Sequence, residues 1–161
     1  MGAWVNANSF SGTPYIISKR DGASAVDLAY GLLINTNGQV SFVVTNSSSS
    51  WDGNRASSNS LAIGQWYFLV AVYSPSNNLD IYINGQLSNG TLSGSIPSTI
   101  RNSAGAFQIS GIGASTTSVL NGVIDEPFVT AKALTANEIK NMYQVGYRAL
   151  QSHATTLGGP S

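Results

Sequence analysis

Apolar and polar residues alternate along most of the chain, a pattern typical of β-strands with one buried face. In YGLLINT, Tyr30, Leu32 and Ile34 fall on one face, and the similar segment QVSFVVT follows almost at once. Asn37-Gly38 lies between the two segments, and this pair favours a tight hairpin because both turn residues must reach positive φ. The pattern therefore predicts a β-hairpin here.

The same arrangement recurs twice further along the chain. NLDIYINGQLS places Leu79, Ile81 and Ile83 on one face ahead of Asn84-Gly85, and VLNGVIDEPFV carries Asn121-Gly122. Hairpins join neighbouring strands that run in opposite directions. The chain is therefore expected to form antiparallel sheet.

The longest apolar segment, QWYFLVAVYS, has largely apolar residues on both of its faces. A strand of this kind is expected in the middle of a sheet rather than at its edge. Together with PYIISKR and AFQIS, the chain offers about nine or ten short strands, a number typical of a sandwich or barrel.

One short helix is predicted near the C-terminus. Thr135 and Glu138 match the S/T-x-x-E capping box, in which each side chain satisfies a backbone N–H at the helix start. Ile139, Met142 and Tyr143 then follow at the spacing of one apolar stripe.

The end of this helix is expected near Gly146, although YRALQ could extend it. The final HATTLGGPS is typical of a tail or linker. The expected organisation is one domain over residues 1–146, followed by a tail or linker over residues 147–161.

Composition narrows the range of partners. Lysine plus arginine and aspartate plus glutamate number seven each, and only 9% of the 161 residues are charged. This balance offers no basic patch for nucleic acid and no polybasic run for anionic lipid. No apolar run approaches the roughly 20 residues of a membrane span, so neither nucleic acid nor membrane is an expected partner.

Neutral polar residues must supply most of the surface, since serine and asparagine make up about a quarter of the chain, well above ordinary usage. Such surfaces are common on secreted and cell-surface proteins, which is the expected location. Cysteine is absent, so the chain has no disulfides and no thiolate metal sites, and the redox compartment stays open.

Four segments, in this order, resemble the laminin-G-like, concanavalin A-like jelly-roll family. They are AWVNANSFSGTPYIISKRDG, YGLLINTNGQVSFVV, LAIGQWYFLVAVYSPSNNLDIYINGQL and NGVIDEPFVTAKALTANEIKNMY. The resemblance implies an all-β fold of two antiparallel sheets packed as a jelly-roll sandwich. It also implies a range of functions: most such domains bind glycans or proteins, some are spacers, and a minority are glycosidases.

The chain departs from this family at both ends. A strand that usually precedes the AWV segment is expected to be absent, and the C-terminal extension is longer than usual. An absent strand would leave an open sheet edge with unpaired N–H and C=O groups. We therefore expect either the C-terminal segment or a second chain, by self-association, to cover that edge.

Asp125 and Glu126 are the only adjacent carboxylates, and glycoside hydrolysis needs two carboxylates roughly 5 to 9.5 Å apart around one bond. Adjacent side chains of a regular strand point to opposite faces, so this pair is not expected to act on one substrate. The single histidine, His153, lies in the predicted tail. The chain is therefore predicted not to be an enzyme, with glycoside hydrolase as a disfavoured alternative.

The IDE segment has two further interpretations. In the first, one carboxylate serves only to anchor loops or backbone N–H groups. Alternatively, many jelly rolls of the resembled superfamily hold calcium through carboxylate and carbonyl oxygens, and Asp125 would then be the first ligand, with Asp21 second.

The segment SSSSWDGNRASSNS, expected to be a loop, offers a candidate sugar site. Trp51 could stack on a sugar ring, while Asp52, Asn54 and Arg55 could bind its hydroxyls. Trp51 could instead cover the sheet, whereas Trp4 and Trp66 lie in apolar strands and are expected in the core.

These features favour a non-catalytic carbohydrate-binding or adhesion module of a larger secreted or cell-surface protein, with glycans or another cell-surface ligand as partners. The alternative is a structural spacer or protein-interaction domain without glycan binding.

Overall fold

The computed structural model describes residues 1–21, 27–46, 52–112 and 118–157, with side chains described up to residue 150. Within these ranges the chain forms eleven strands and one helix. The strands are β1 (Gly2–Ala7), β2 (Tyr15–Arg20), β3 (Leu28–Ile34), β4 (Gln39–Val44), β5 (Gly53–Ser60), β6 (Trp66–Ser74), β7 (Asn78–Ile83), β8 (Gln86–Leu87), β9 (Asn89–Gly94), β10 (Phe107–Ile109) and β11 (Gly122–Phe128); the helix α1 spans Ala136–Leu157.

The strands pair antiparallel in two sheets, which confirms the predicted sandwich. The five-stranded sheet has the order β11-β1-β6-β7-β8, and the six-stranded sheet has the order β10-β2-β3-β4-β5-β9. Apolar side chains from both sheets meet between them, with Phe42, Leu69, Leu79 and Ile81 almost completely buried. Burial of such side chains contributes about 1.5–3 kcal/mol each to stability.

Two of the three predicted hairpins are present. Asn84 and Gly85 both adopt positive φ between β7 and β8, as a two-residue turn requires. Between β3 and β4 only Gly38 has positive φ, because its N–H closes a longer turn onto the carbonyl of Asn35. The third prediction, at Asn121-Gly122, is wrong, since β11 starts at Gly122 and pairs with the distant β1 rather than with a strand that ends directly before the turn.

Strand β6 lies in the middle of the five-stranded sheet, as its two apolar faces predict. It pairs with β1 on one side and β7 on the other. Leu69 and Ala71 face the core between the sheets, while Phe68 and Val70 belong to a second cluster on the outer face. The helix α1 covers that second cluster with Ile139, which is fully buried.

The AWV segment does not itself lie at an open edge. That segment is β1, and it is hydrogen-bonded to β11 on one side and to β6 on the other. The C-terminal segment therefore does not cover an edge but lies on the outer face of the sheet. Of the described strands, β11 and β8 form the edges of this sheet.

The start of α1 agrees with the prediction and its end does not. The backbone N–H of Thr135 donates to Glu138 Oε2 at 2.8 Å, and Glu138 N–H donates to Thr135 Oγ1 at 3.3 Å, which completes the capping box. The helix does not end at Gly146 but continues through most of the predicted tail. None of the described helices is long and apolar enough to cross a membrane.

Candidate functional site

Three connecting segments meet at one end of the six-stranded sheet, at residues we call the loop end: Asp21, Asp27, Thr45, Asp52 and Arg101. The guanidinium of Arg101 lies 3.3 Å from Asp21 and 3.8 Å from Asp27. The backbone N–H of Arg101 donates to the carbonyl of Thr45 at 2.7 Å. Arg101 thus ties the connection after β2 to the connection after β4.

Asp52 closes the base of the connection between β4 and β5. Its carboxylate accepts a hydrogen bond from the backbone N–H of Asn46, and its carbonyl accepts one from Ser95 N–H at 2.7 Å. The predicted stacking residue Trp51 lies outside the described residues. It directly precedes Asp52 in the sequence.

The expectation that residues 53–60 form a loop is wrong, because they form strand β5. Asn54 pairs with Val43 and Arg55 with Phe42. Adjacent strand residues face opposite sides of a sheet, and Phe42 belongs to the core between the sheets. Arg55 therefore faces inward and Asn54 faces outward, so the structure does not bring these two predicted ligands together.

Hydrogen bonds within the sandwich occupy the side chain of Arg55. Its Nε donates to the carbonyl of Leu79 at 3.0 Å, and its Nη1 donates to the carbonyl of Gly90 at 2.9 Å. These bonds link β5 to β7 of the other sheet and to β9. Asn54 differs, because its buried Oδ1 has no hydrogen-bond partner.

The two candidate calcium ligands lie on different sheets and have other partners. Asp21, at the end of β2, pairs with Arg101, whereas Asp125 in β11 accepts the backbone N–H of Glu126 at 2.8 Å. Calcium requires six to eight oxygen ligands, and within the described residues no three His, Cys, Asp or Glu side chains form a group that could hold a metal. The positive charge beside Asp21 is supplied by a guanidinium, so these residues do not fit a calcium site.

Asp125 and Glu126 do not follow the regular alternation expected for them. The pairing with β1 shifts between Trp4–Asp125 and Gly2–Phe128, and Glu126 has a φ of 48°, which marks a β-bulge. Both carboxylates consequently border one cavity of about 130 Å³, which is also lined by Trp4, Gly146, Ala149 and Leu150. This cavity is smaller than the ~300–1,000 Å³ of ordinary ligand sites.

Comparisons with known proteins agree with the sandwich. A family model described as the concanavalin A-like lectin/glucanases superfamily matches residues 1–140, which confirms the resemblance drawn from the sequence. A search of curated protein sequences finds no match.

Several solved structures share the fold at low sequence identity. A protein from Bacteroides ovatus ATCC 8483 with a provisional carbohydrate-binding name is 19% identical, with a TM-score of 0.64 over 86% of this chain and 38% of its own. The binding domain of botulinum neurotoxin DC, solved with SialylT, is 17% identical, with a TM-score of 0.61 over 89% of this chain and 34% of its own. Trypanosoma rangeli sialidase, solved with sialic acid, is 15% identical, with a TM-score of 0.62 over 88% of this chain and 22% of its own.

At these identities the likeness establishes the fold alone. This chain spans little more than a third of the Bacteroides protein and less than a quarter of the sialidase.

Proposed function

This chain belongs to the concanavalin A-like lectin/glucanases superfamily, and we propose that it is a non-catalytic module that binds glycans. The observation that carries this proposal is the loop end, where Asp52 and Arg101 fix the described ends of the connection between β4 and β5. Trp51 belongs to that connection in the sequence. Binding residues are commonly placed on loops that a rigid sandwich positions. The neighbours named for carbohydrate binding and solved with a sialylated ligand support the same class of function.

At the proposed site Trp51 stacks on the apolar face of a sugar ring, and Asp52 and Asn54 bind hydroxyl groups. The Oδ1 of Asn54 is buried and unpaired, so a sugar hydroxyl would meet this side chain through its amide Nδ2. Arg55 has a supporting role, since its hydrogen bonds to Leu79 and Gly90 hold β5 in place.

We further propose that the module is part of a larger secreted or cell-surface protein. The neutral surface rich in serine and asparagine favours this setting, as does the small share of its neighbours' length that this chain spans. A shallow site has a dissociation constant in the millimolar to micromolar range, about 4–8 kcal/mol. Repeated display on one surface would then raise the overall avidity.

A glycan array, read for wild type and Trp51→Ala, tests this proposal. We expect at least one glycan to bind wild type, and Trp51→Ala to weaken that binding about tenfold or more, which corresponds to ~1.4 kcal/mol. Trp51→Phe serves as the matched control and should retain part of the affinity, because it keeps an aromatic face. Absence of any glycan binding would favour the spacer function instead.

Adding EDTA to the same array separates this site from a calcium-dependent one. We expect EDTA to leave binding unchanged, because Asp21 and Asp125 have other partners and lie on different sheets. If EDTA abolished binding and calcium restored it, the proposal that the loop end binds glycan without calcium would be wrong.

A further inference from the structure

A groove of about 490 Å³ lies on the outer face of the five-stranded sheet, between the start of β6, the β7–β8 turn and α1. Its volume falls in the ~300–1,000 Å³ range of small-molecule sites. All of its lining residues but Leu150 are aromatic or carry an amide: Trp4, Gln65, Trp66, Tyr67, Asn84, Tyr143, Tyr147 and Leu150.

The groove and the loop end lie at opposite ends of the sandwich. Strand β5 begins at Gly53 beside the loop end, runs eight residues to Ser60, and is followed by the short link to Trp66 at the groove. Eight residues of strand span about 25 Å. A ligand in one site therefore cannot contact the other unless it is a long chain.

Aromatic rings form a row that leads from the core into the groove. The ring centroids of Trp4 and Tyr143 are 5.7 Å apart, and those of Tyr143 and Tyr147 are 5.6 Å apart. Trp4 is 3% exposed, whereas Tyr147 is 45% exposed. Trp66 adds a half-buried indole at the other side, so the groove offers the flat apolar faces on which the C–H face of a sugar ring can stack.

Two amide side chains supply hydrogen-bonding groups beside these rings. Asn84 Oδ1 accepts the backbone N–H of Phe68 at 2.9 Å, which fixes the amide plane and leaves its Nδ2 without a partner among the described residues. Gln65 is exposed and makes no hydrogen bond within the same ranges. Planar amides both donate and accept, as recognition of neighbouring sugar hydroxyls requires.

The groove is lined by no charged side chain among the described residues. A carboxylate or phosphate placed there would lose hydration without gaining a cationic partner, which is costly. Neutral hydroxyl-bearing rings suit this lining, whereas a sialylated or sulfated ligand does not.

We propose that this groove is a second binding site and that it takes a neutral pyranose unit of a glycan chain. The groove stacks the ring between Trp66 and the exposed face of Tyr147, while Gln65 and Asn84 bind its hydroxyls. This site is independent of the loop end, so either one can fail without the other.

Titration of the folded chain with lactose, sialyllactose and neutral cello-, manno- and xylo-tetrasaccharides tests the proposal. We expect at least one neutral saccharide to bind, and Tyr147→Ala to weaken that binding about tenfold or more. Gln144→Ala is the matched control, because Gln144 is exposed on the same helix and does not line the groove. It should leave the dissociation constant unchanged.

Any of five results would overturn the groove as a saccharide site. Three concern binding itself: no binding of any neutral saccharide, tighter binding of sialyllactose than of lactose through Tyr147, or neutral binding that survives both Tyr147→Ala and Gln65→Ala. The fourth is binding that only Trp51→Ala abolishes, which would support the loop end as the binding site and exclude the groove. The fifth is a concentration-dependent dimer that Tyr147→Ala disperses, which would assign the groove to a second copy of the chain.

Discussion

Gly146 of α1 packs directly against the indole of Trp4, so closely that a Cβ at Gly146 would lie 2.6 Å from Trp4 Nε1 and 2.8 Å from Cζ2. Real Cβ atoms do not approach other atoms to this distance. A glycine in a helix interior costs about 1 kcal/mol relative to alanine. Here that cost is offset by the close approach of the helix to the sheet, which buries Trp4 and shapes the floor of the groove.

We predict that Gly146→Ala destabilises the protein, although alanine is the better helix former. Overpacking of a tight contact costs about 1–3 kcal/mol, which exceeds the gain in propensity. Urea unfolding of Gly146→Ala and of the control Gln144→Ala measures the difference, and only the first should lose stability. Equal or greater stability of Gly146→Ala would show that α1 does not rest on Trp4.

We predict that Glu138 stabilises the start of α1 and that this stabilisation is lost at low pH. The hydrogen bond from Lys132, followed by that from the Thr135 backbone, lowers the pKa of Glu138 from 4.5 to about 2. Because the folded pKa is depressed, the contribution is fully present above the unfolded pKa and is lost as pH falls through the folded one. The melting temperature of Glu138→Gln should therefore lie below that of wild type at pH 6, and the gap should close by about pH 2.

Lys132→Met tests the cause of the lowered pKa of Glu138 in the same pH series. Without the lysine, the pKa of Glu138 should rise, and the gap to Glu138→Gln in the Lys132→Met background should become smaller at pH 6. A gap that stays constant from pH 6 to pH 2 would contradict the assignment.

We predict that Arg55 acts in stability and not as a glycan ligand. Arg55→Lys keeps the charge but cannot reproduce the geometry of the two bonds to Leu79 and Gly90. The expected loss is about 1–3 kcal/mol in urea unfolding, with little change in the glycan dissociation constant at a temperature where the variant is folded. Arg148→Lys, on the exposed face of α1, is the control. If Arg55→Lys were as stable as wild type but no longer bound glycan, Arg55 would instead be a glycan ligand.

We predict no glycosidase activity from Asp125 and Glu126. The cavity that they share measures about 130 Å³, which is smaller than the ~300–1,000 Å³ of ordinary ligand sites. Release of reducing sugar from a panel of β-glucans and galactans should equal the buffer blank. Activity that Asp125→Asn and Glu126→Gln both abolish would refute this prediction.

The alternation of apolar and polar residues was sufficient to predict the two sheets, because each alternating segment buries one face. It failed at β5, where polar residues occupy inward positions. Ser57, for example, is fully buried. Its Oγ accepts a hydrogen bond from Val40 N–H and donates one to the carbonyl of Asn59. Internal hydrogen bonds of this kind satisfy a polar strand, and no hydrophobic pattern reveals them.

Contacts between distant segments account for the other differences. Gly146 has low helix propensity, and the helix continues through it where Gly146 packs on Trp4 and Leu150, beyond it, packs on the same cluster. The groove combines Trp66, Asn84 and the tyrosines of α1 from three separate segments. The i, i+4 spacing of Tyr143 and Tyr147 was the one local signal of an aromatic face that could have been recognised in the sequence.

The indole N–H signals of the three tryptophans allow the most direct test of glycan binding. Trp66 lines the groove, Trp4 is buried at its inner side, and Trp51 directly precedes Asp52 of the loop end in the sequence. Uniformly ¹⁵N-labelled protein is titrated with neutral tetrasaccharides up to millimolar concentrations, the range expected of a shallow site. The account predicts saturable shifts of the Trp51 and Trp66 indole signals with independent midpoints, and a smaller shift of Trp4. Three indole signals that stay in place throughout the panel would contradict glycan binding by this module.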